Sequence, residues 1–147
     1  GFESKKTGEW TRMDKVRIGI IGVGNTIGIA KNHIDAYKCC PDAVITAVYD
    51  IRSERAQQTI DQMELHDAKA CTSLEELFGL CDAVSICTPN ATHVELTVQA
   101  LKAGKHVLCE KPFAPTPEDC DEAVKYAELT GKVCMIGLCY RDIPGFV

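Results

Sequence analysis

Residues Val16 to Asn25 read V-R-I-G-I-I-G-V-G-N. An apolar run that ends in closely spaced glycines fits a buried strand that turns sharply into a helix. Such a turn leaves main-chain N–H groups free to meet a phosphate. Gly22 and Gly24 form G-x-G, and the next glycine, Gly28, comes one residue later than G-x-x-G would place it. The glycines alone therefore also fit an ordinary strand–helix turn that binds nothing. In the phosphate-binding reading, Gly24 lets the backbone approach a pyrophosphate, and Asn25, Thr26 and Ile27 supply N–H groups.

The pattern beyond this turn decides the fold class. Strand-like runs are expected over residues 15–21, 44–49, 68–71, 83–87, 106–109 and 133–136. Helix-like stretches lie between them. The first, 27–38, carries Ile27, Ala30, Ile34 and Tyr37 on one face. Ser53 is expected to cap a helix running to about Gln62. Ser73 with Glu76 forms a capping-box pattern for a short helix through Leu80. A helix over 92–103 is expected to stop at Gly104, and one capped by Thr116 is expected to run to Thr130 and stop at Gly131. Strands that alternate with helices imply a parallel sheet with helices on both faces. Six strands with the glycine turn after the first predict a doubly wound α/β Rossmann fold of order 3-2-1-4-5-6.

The 147 residues suffice for one domain with a real core and not for two large ones. Residues 1–12 are polar and aperiodic, and are expected to be a leader or cloning remnant. Residues 13–137 are expected to form the domain, and 138–147, with Pro144 and Gly145, to begin a connection to a further one. A formal net charge of −5 argues against a nucleic-acid surface. The apolar runs are far shorter than a membrane span, and no secretory signal pattern is present. The nine cysteines include no C-x-x-C pair. Cys71, Cys87, Cys109 and Cys134 fall in or beside apolar runs and read as buried free thiols. That points to a reducing compartment, the cytoplasm. Cys39 and Cys40 have no set of histidines to join, so no metal site is expected.

The chemistry-bearing residues gather at the carboxyl ends of the predicted strands, where open α/β sheets bind ligands. Asp50 ends the second strand. A carboxylate there can accept bonds from both adenosine ribose hydroxyls and repels a 2′-phosphate, which favours NAD over NADP. Arg52 can offset that preference through guanidinium–phosphate pairing, or it can be a solvated helix-start arginine. Cys87, Thr88, Pro89 and Asn90 end the fourth strand, and Thr88 and Asn90 can reach a nicotinamide ribose. Asn90 can equally cap the next helix. His93, taken alone, fits a surface helix position. Glu110 and Lys111 follow the fifth strand. Lys111 can move a proton to or from a substrate oxygen during hydride transfer, with Glu110 orienting it. A surface ion pair before a turn fits the same two residues.

Four strings, V-R-I-G-I-I-G-V-G-N, V-Y-D-I-R-S-E-R-A, C-T-P-N-A-T-H and A-G-K-H-V-L-C-E-K-P-F-A, resemble the glucose–fructose oxidoreductase and inositol dehydrogenase family, Gfo/Idh/MocA, over residues 16–141. The resemblance implies an NAD(P)-dependent oxidoreductase that passes hydride between nicotinamide and a secondary hydroxyl of a sugar, cyclitol or related compound. It makes Lys111 the catalytic proton-relay residue. It makes Thr88, Pro89, Asn90 and His93 cofactor-pocket residues, and Asp50 the acid after the second strand. It also implies a second α/β domain carrying the substrate contacts and a homo-oligomer interface, so residues 1–147 alone are expected to be inactive on polyols. Two departures stand out: extra residues lie between Gly24 and His33, and the second domain is not represented. Two alternatives remain at this point, a non-catalytic nucleotide sensor and an NAD-dependent glycoside-cleaving relative. The retained E-K-P lysine argues against the sensor.

Overall fold

The computed structural model describes residues 14–24 and 28–138. The expectations for residues 1–12, for Asn25, Thr26 and Ile27, and for 139–147 lie outside the described residues. Six strands form one parallel sheet: β1 (Val16–Ile21), β2 (Ala43–Tyr49), β3 (Lys69–Cys71), β4 (Ala83–Ile86), β5 (His106–Glu110) and β6 (Cys134–Gly137). Their order is β3-β2-β1-β4-β5-β6, the expected Rossmann order. Five helices connect them: α1 (Gly28–Cys39), α2 (Ser53–Met63), α3 (Leu74–Gly79), α4 (His93–Lys102) and α5 (Asp121–Thr130).

Strand alternation sorts the core into two layers. Ile18 and Ile20 of β1 join Ile45 and Val48 of β2 under Ala30 and Ile34 of α1 and Ala56 and Ile60 of α2. Ile21 points to the other face and packs with Leu77 of α3 and with Ala100 and Leu101 of α4. Gly19 shares that second face. A Cβ built there would lie 2.8 Å from Leu77 Cδ2 and 3.1 Å from Cys81 Sγ, so a bare backbone at β1 is what lets α3 sit against the sheet.

Helix ends follow local chemistry, with three corrections. Ser53 does not cap α2; it is the first helical residue. Arg52 holds the cap position in an extended conformation without a side-chain cap bond, and its N–H donates to Asp50 Oδ1 at 3.0 Å. The fourth helix begins at His93 and not at Thr92, because a 3-10 turn over Asn90–Thr92 precedes it. Thr116 does not cap α5: its hydroxyl accepts from Asp119 N at 3.4 Å, in a 3-10 turn over Glu118–Cys120 whose cap position is Pro117, and α5 starts only at Asp121. Short 3-10 segments are common at helix starts, because three-residue turns tighten the first carbonyls before the α ladder is established. Ser73 caps α3 as expected, accepting from Glu76 N at 3.1 Å. Glu76 overreaches the usual box and accepts from Thr72 N at 2.8 Å. Gly104 and Gly131 take φ values of 75° and 64° at the ends of their helices.

Burial pushes the Cys81 thiol up to about 11 and the Cys87 and Cys109 thiols up to about 12. These thiols are packing groups, because the reactive thiolate is suppressed. Cys39 and Cys40 are exposed. Iodoacetamide at about pH 8 is therefore expected to label Cys39 and Cys40 in the native protein, and Cys81 and Cys109 only after denaturation, as read by peptide mass mapping. A thiol whose folded pKa lies above its unfolded value binds its proton more tightly when folded. The resulting stability is complete below about pH 8.5 and is lost as pH rises toward 12, so melting temperatures should fall between about pH 8 and 10.

Candidate functional site

The parallel register brings the ends of β1, β2, β4 and β5 to one edge. At β1, Gly22 and Gly24 adopt φ values of 87° and 70°, a region that costs other residues steric strain. A Cβ on Gly22 would lie 2.6 Å from Thr88 Cγ2 and 3.0 Å from the Thr88 backbone, so the turn can pass under the β4 loop only as glycine. Gly28 opens α1, and a Cβ there would meet nothing within 4 Å. It is not a close-packing third glycine.

Asp50 ends β2 and is buried, at 7% exposure. Its Oδ2 accepts from Val23 N at 2.9 Å and, at a longer 3.4 Å, from Gly24 N, while Oδ1 accepts from Arg52 N. One carboxylate thus satisfies main-chain donors on both sides of the β1–β2 edge. It also lines the groove described below, and a carboxylate has about four acceptor sites, which leaves capacity for a ligand hydroxyl.

The β4 end is tied to β1 by Cys87 N donating to Ile21 O at 2.8 Å. Thr88 and Pro89 follow at the groove wall, with the Thr92 hydroxyl 2.7 Å from that of Thr88 and 2.9 Å from Pro89 O. Asn90 is exposed and opens the 3-10 turn, so it does not cap α4. His93 is no surface histidine. It is 1% exposed, with Nδ1 2.8 Å from Pro112 O and Nε2 2.8 Å from Thr88 O. It stands behind the groove and links the loops after β4 and β5.

At the β5 end, Lys111 is exposed and is joined to Pro112 by a cis peptide bond. Its main-chain N–H donates to Glu110 Oε2 at 3.2 Å. The other carboxylate oxygen, Oε1, accepts from His33 Nε2 of α1 at 2.6 Å, with side-chain exposures of 13% and 9%. His33 Nδ1 lies 3.2 Å from Ser85 Oγ of β4, which lies 2.7 Å from the Tyr37 hydroxyl. Burial holds the Tyr37 hydroxyl above its usual range, so it remains a donor. The expected Glu110–Lys111 partnership therefore runs through the lysine backbone. His33, Ser85 and Tyr37 were not singled out from sequence.

A groove of about 650 Å³ runs along this edge, within the range of small-molecule and cofactor sites. Ile21, Gly22, Gly24, Asp50, Cys87, Thr88 and Pro89 line one part of it. Leu74, Leu96, Gln99, Glu95 and Arg55 complete it, and none of these was expected. Arg52 is exposed outside the groove, and Arg55, one turn into α2, faces it instead. The apolar part, walled by Leu74 and Leu96, suits a flat ring. The end with positive-φ glycines suits a group that must approach the backbone closely. Among the described residues, no three His, Cys, Asp or Glu side chains gather in a metal-holding group. No helix there is long and apolar enough to cross a membrane.

Sheet order, glycine turn, acid after β2 and groove together define a dinucleotide-binding Rossmann domain. The family model described as an oxidoreductase family with an NAD-binding Rossmann fold, GFO_IDH_MocA, matches residues 16–138. The chain is 37% identical over 126 residues to D-glucoside 3-dehydrogenase of Escherichia coli K12, covering 86% of this chain and 35% of that protein. It is 35% identical over 133 residues to an NADP(+)-dependent scyllo-inositol 2-dehydrogenase of Bacillus subtilis, covering 89% and 39%. A solved UDP-N-acetylglucosamine 3-dehydrogenase from Acidithiobacillus ferrooxidans superposes with a TM-score of 0.80 at 32% identity, over 91% of this chain and 42% of that one. The chain belongs to the Gfo/Idh/MocA oxidoreductase family, as its NAD(P)-binding Rossmann domain. It spans between a third and a half of the length of these relatives.

Because Asp50 satisfies donors on two loops, Asp50→Ala is expected to lower stability without any ligand by about 1–3 kcal/mol, the cost of leaving buried N–H groups unpaired. Denaturant melts of the ligand-free protein check this.

Proposed function

We propose that this domain serves an NAD(P)-dependent dehydrogenase that acts on a secondary hydroxyl of a sugar, cyclitol or related polyol. The observation that carries this reading is Lys111 at the end of β5, exposed on the same sheet edge as the glycine turn and Asp50. The residues fit a dinucleotide. Gly22 and Gly24 clear a path to the backbone, and Asp50 lines the groove where the ribose hydroxyls of the adenosine half would lie. Leu74 and Leu96 would flank the adenine. Asn25, Thr26 and Ile27 would supply pyrophosphate N–H groups, and Thr88, Pro89 and Asn90 would border the nicotinamide ribose. When bound, NAD(P) supplies or accepts the hydride. Lys111 takes or returns the proton of the substrate hydroxyl as its carbon is oxidised or reduced. Glu110 holds the Lys111 main chain, and His93 holds the loops on either side.

Asp50 supports NAD(H) as the preferred cofactor, since a carboxylate at the ribose repels a 2′-phosphate. Arg55, at the groove wall, is better placed than Arg52 to oppose that preference. Free thiols at the described cysteines support a reducing, cytoplasmic setting. Calorimetric titration is expected to show tighter binding of NAD(H) than of NADP(H). Equal or tighter NADP(H) binding would reverse the reading of Asp50.

Lys111→Ala in the full-length protein is expected to lower turnover of a polyol or sugar by about 10²–10⁴-fold, the usual worth of a positioned acid or base. NAD(H) affinity should stay nearly unchanged, because Lys111 follows β5 and the glycine turn follows β1. Lys111→Arg is not expected to restore activity, since guanidinium does not release its proton near neutral pH. Steady-state turnover with parallel cofactor titrations checks both variants. Wild-type turnover in Lys111→Ala would remove the lysine from the chemistry.

A further inference from the structure

The chain Tyr37–Ser85–His33–Glu110 crosses from α1 through β4 to β5, and the site as read above uses only its last member. The Glu110 carboxylate can only accept, so His33 Nε2 carries a proton and donates at 2.6 Å. His33 Nδ1 lies 3.2 Å from Ser85 Oγ, which lies 2.7 Å from the Tyr37 hydroxyl. Every group on the path has a partner, as a buried polar network requires if it is to hold its geometry.

Ser85, His33 and Glu110 are the residue types of an acyl-transfer triad. Ser85 is fully buried, at 0% exposure, so it cannot meet a substrate. The path ends instead at the Lys111 main chain, through Glu110 Oε2. The carboxyl is also braced from the far side. A Cβ on Gly137 of β6 would lie 3.2 Å from Glu110 Oε1 and 3.5 Å from Cδ, so the strand passes close without displacing it. His33 lies 77 positions before Glu110, on an element whose first turn follows the glycine loop.

We propose that His33 is a positioning residue for Lys111: by holding Glu110 between α1 and β6, it sets the backbone from which the lysine reaches the substrate. This rests on the reading of Lys111 as the proton-transfer residue. It adds that α1, the helix opened by the cofactor-binding turn, also fixes the proton-transfer end. Removing the His33 imidazole leaves Glu110 free to swing toward solvent and releases the Lys111 N–H.

The test uses His33→Ala, which deletes the donor, and His33→Gln, whose side-chain amide can replace the Nε2 donor. Amide hydrogen exchange of the 147-residue chain reads the geometry without substrate or turnover. Lys111 N–H is expected to exchange about tenfold faster or more in His33→Ala, with β1 amides unchanged, and to regain protection in His33→Gln. In the full-length protein, His33→Ala is expected to lower kcat by about 100-fold, the scale of a misplacement near 1 Å, with NAD(H) affinity held and most of the loss recovered in His33→Gln. Unchanged Lys111 exchange in His33→Ala overturns the proposal, and so does a cofactor-affinity loss as large as the kcat loss. If His33→Ala does not fold, Ser85→Ala gives the second reading. It leaves the His33–Glu110 bond in place, so Lys111 protection should be kept, and a tenfold rise in exchange overturns that bond as the hold on Lys111. A failure of the Lys111→Ala prediction, by contrast, removes the lysine's chemical role and leaves the exchange result standing on its own.

Discussion

The Asp50 carboxylate is the fixed point of this edge. Two of its main-chain bonds are short, to Val23 N and Arg52 N, and the third, to Gly24 N, is longer. With them the end of β2 holds both the turn into α1 and the turn into α2. A glycine turn with positive φ values is intrinsically loose, because glycine has many other conformations available in the unfolded chain. A buried acceptor aimed at its N–H groups selects one of them. The acid that lines the groove therefore also shapes the glycine turn, and the two roles cannot be varied independently.

The rest of the edge is assembled by pairings between distant segments. Gly22 passes beneath Thr88 with no room for a side chain. His93 ties Thr88 to Pro112, and His33 ties α1 to the end of β5. Each contact joins the β1 turn or α1 to the loops after β4 and β5, or joins those two loops to each other. Leu74 and Leu96 wall the groove beside the glycine turn, Asp50 and Thr88.

Much of this was legible in the sequence, for local reasons. Apolar runs and glycine stops located all six strands and the sheet order, because parallel strands buried on both faces leave dense apolar signals. Gly104 and Gly131 marked helix ends through a conformation that only glycine adopts cheaply. Legibility failed where two residues far apart in the chain decide the outcome. His33 looked like any polar position on a helix, since its partner is 77 residues away. His93 reads as exposed until the carbonyls of Thr88 and Pro112 close around it. Arg55 and Leu96 became groove residues only through the placement of α2 and α4. The helix starts at Ser53, Thr92 and Thr116 were misjudged for a related reason. A hydroxyl near a predicted start signals capping, but whether it caps the helix, bonds into a 3-10 turn or lies one residue inside depends on how the preceding loop leaves the sheet.

The His93 clasp has a mechanical consequence. His93 lies between the loops after β4 and β5. Each brings a carbonyl oxygen within 2.8 Å of the same buried ring, so moving the loop that accepts the ring's N–H strands a buried donor and acceptor, a penalty of about 1–3 kcal/mol. An independent excursion of that loop is then disfavoured by roughly 5- to 150-fold. Opening of this edge to a ligand is then easiest where it leaves the spacing of these two loops unchanged.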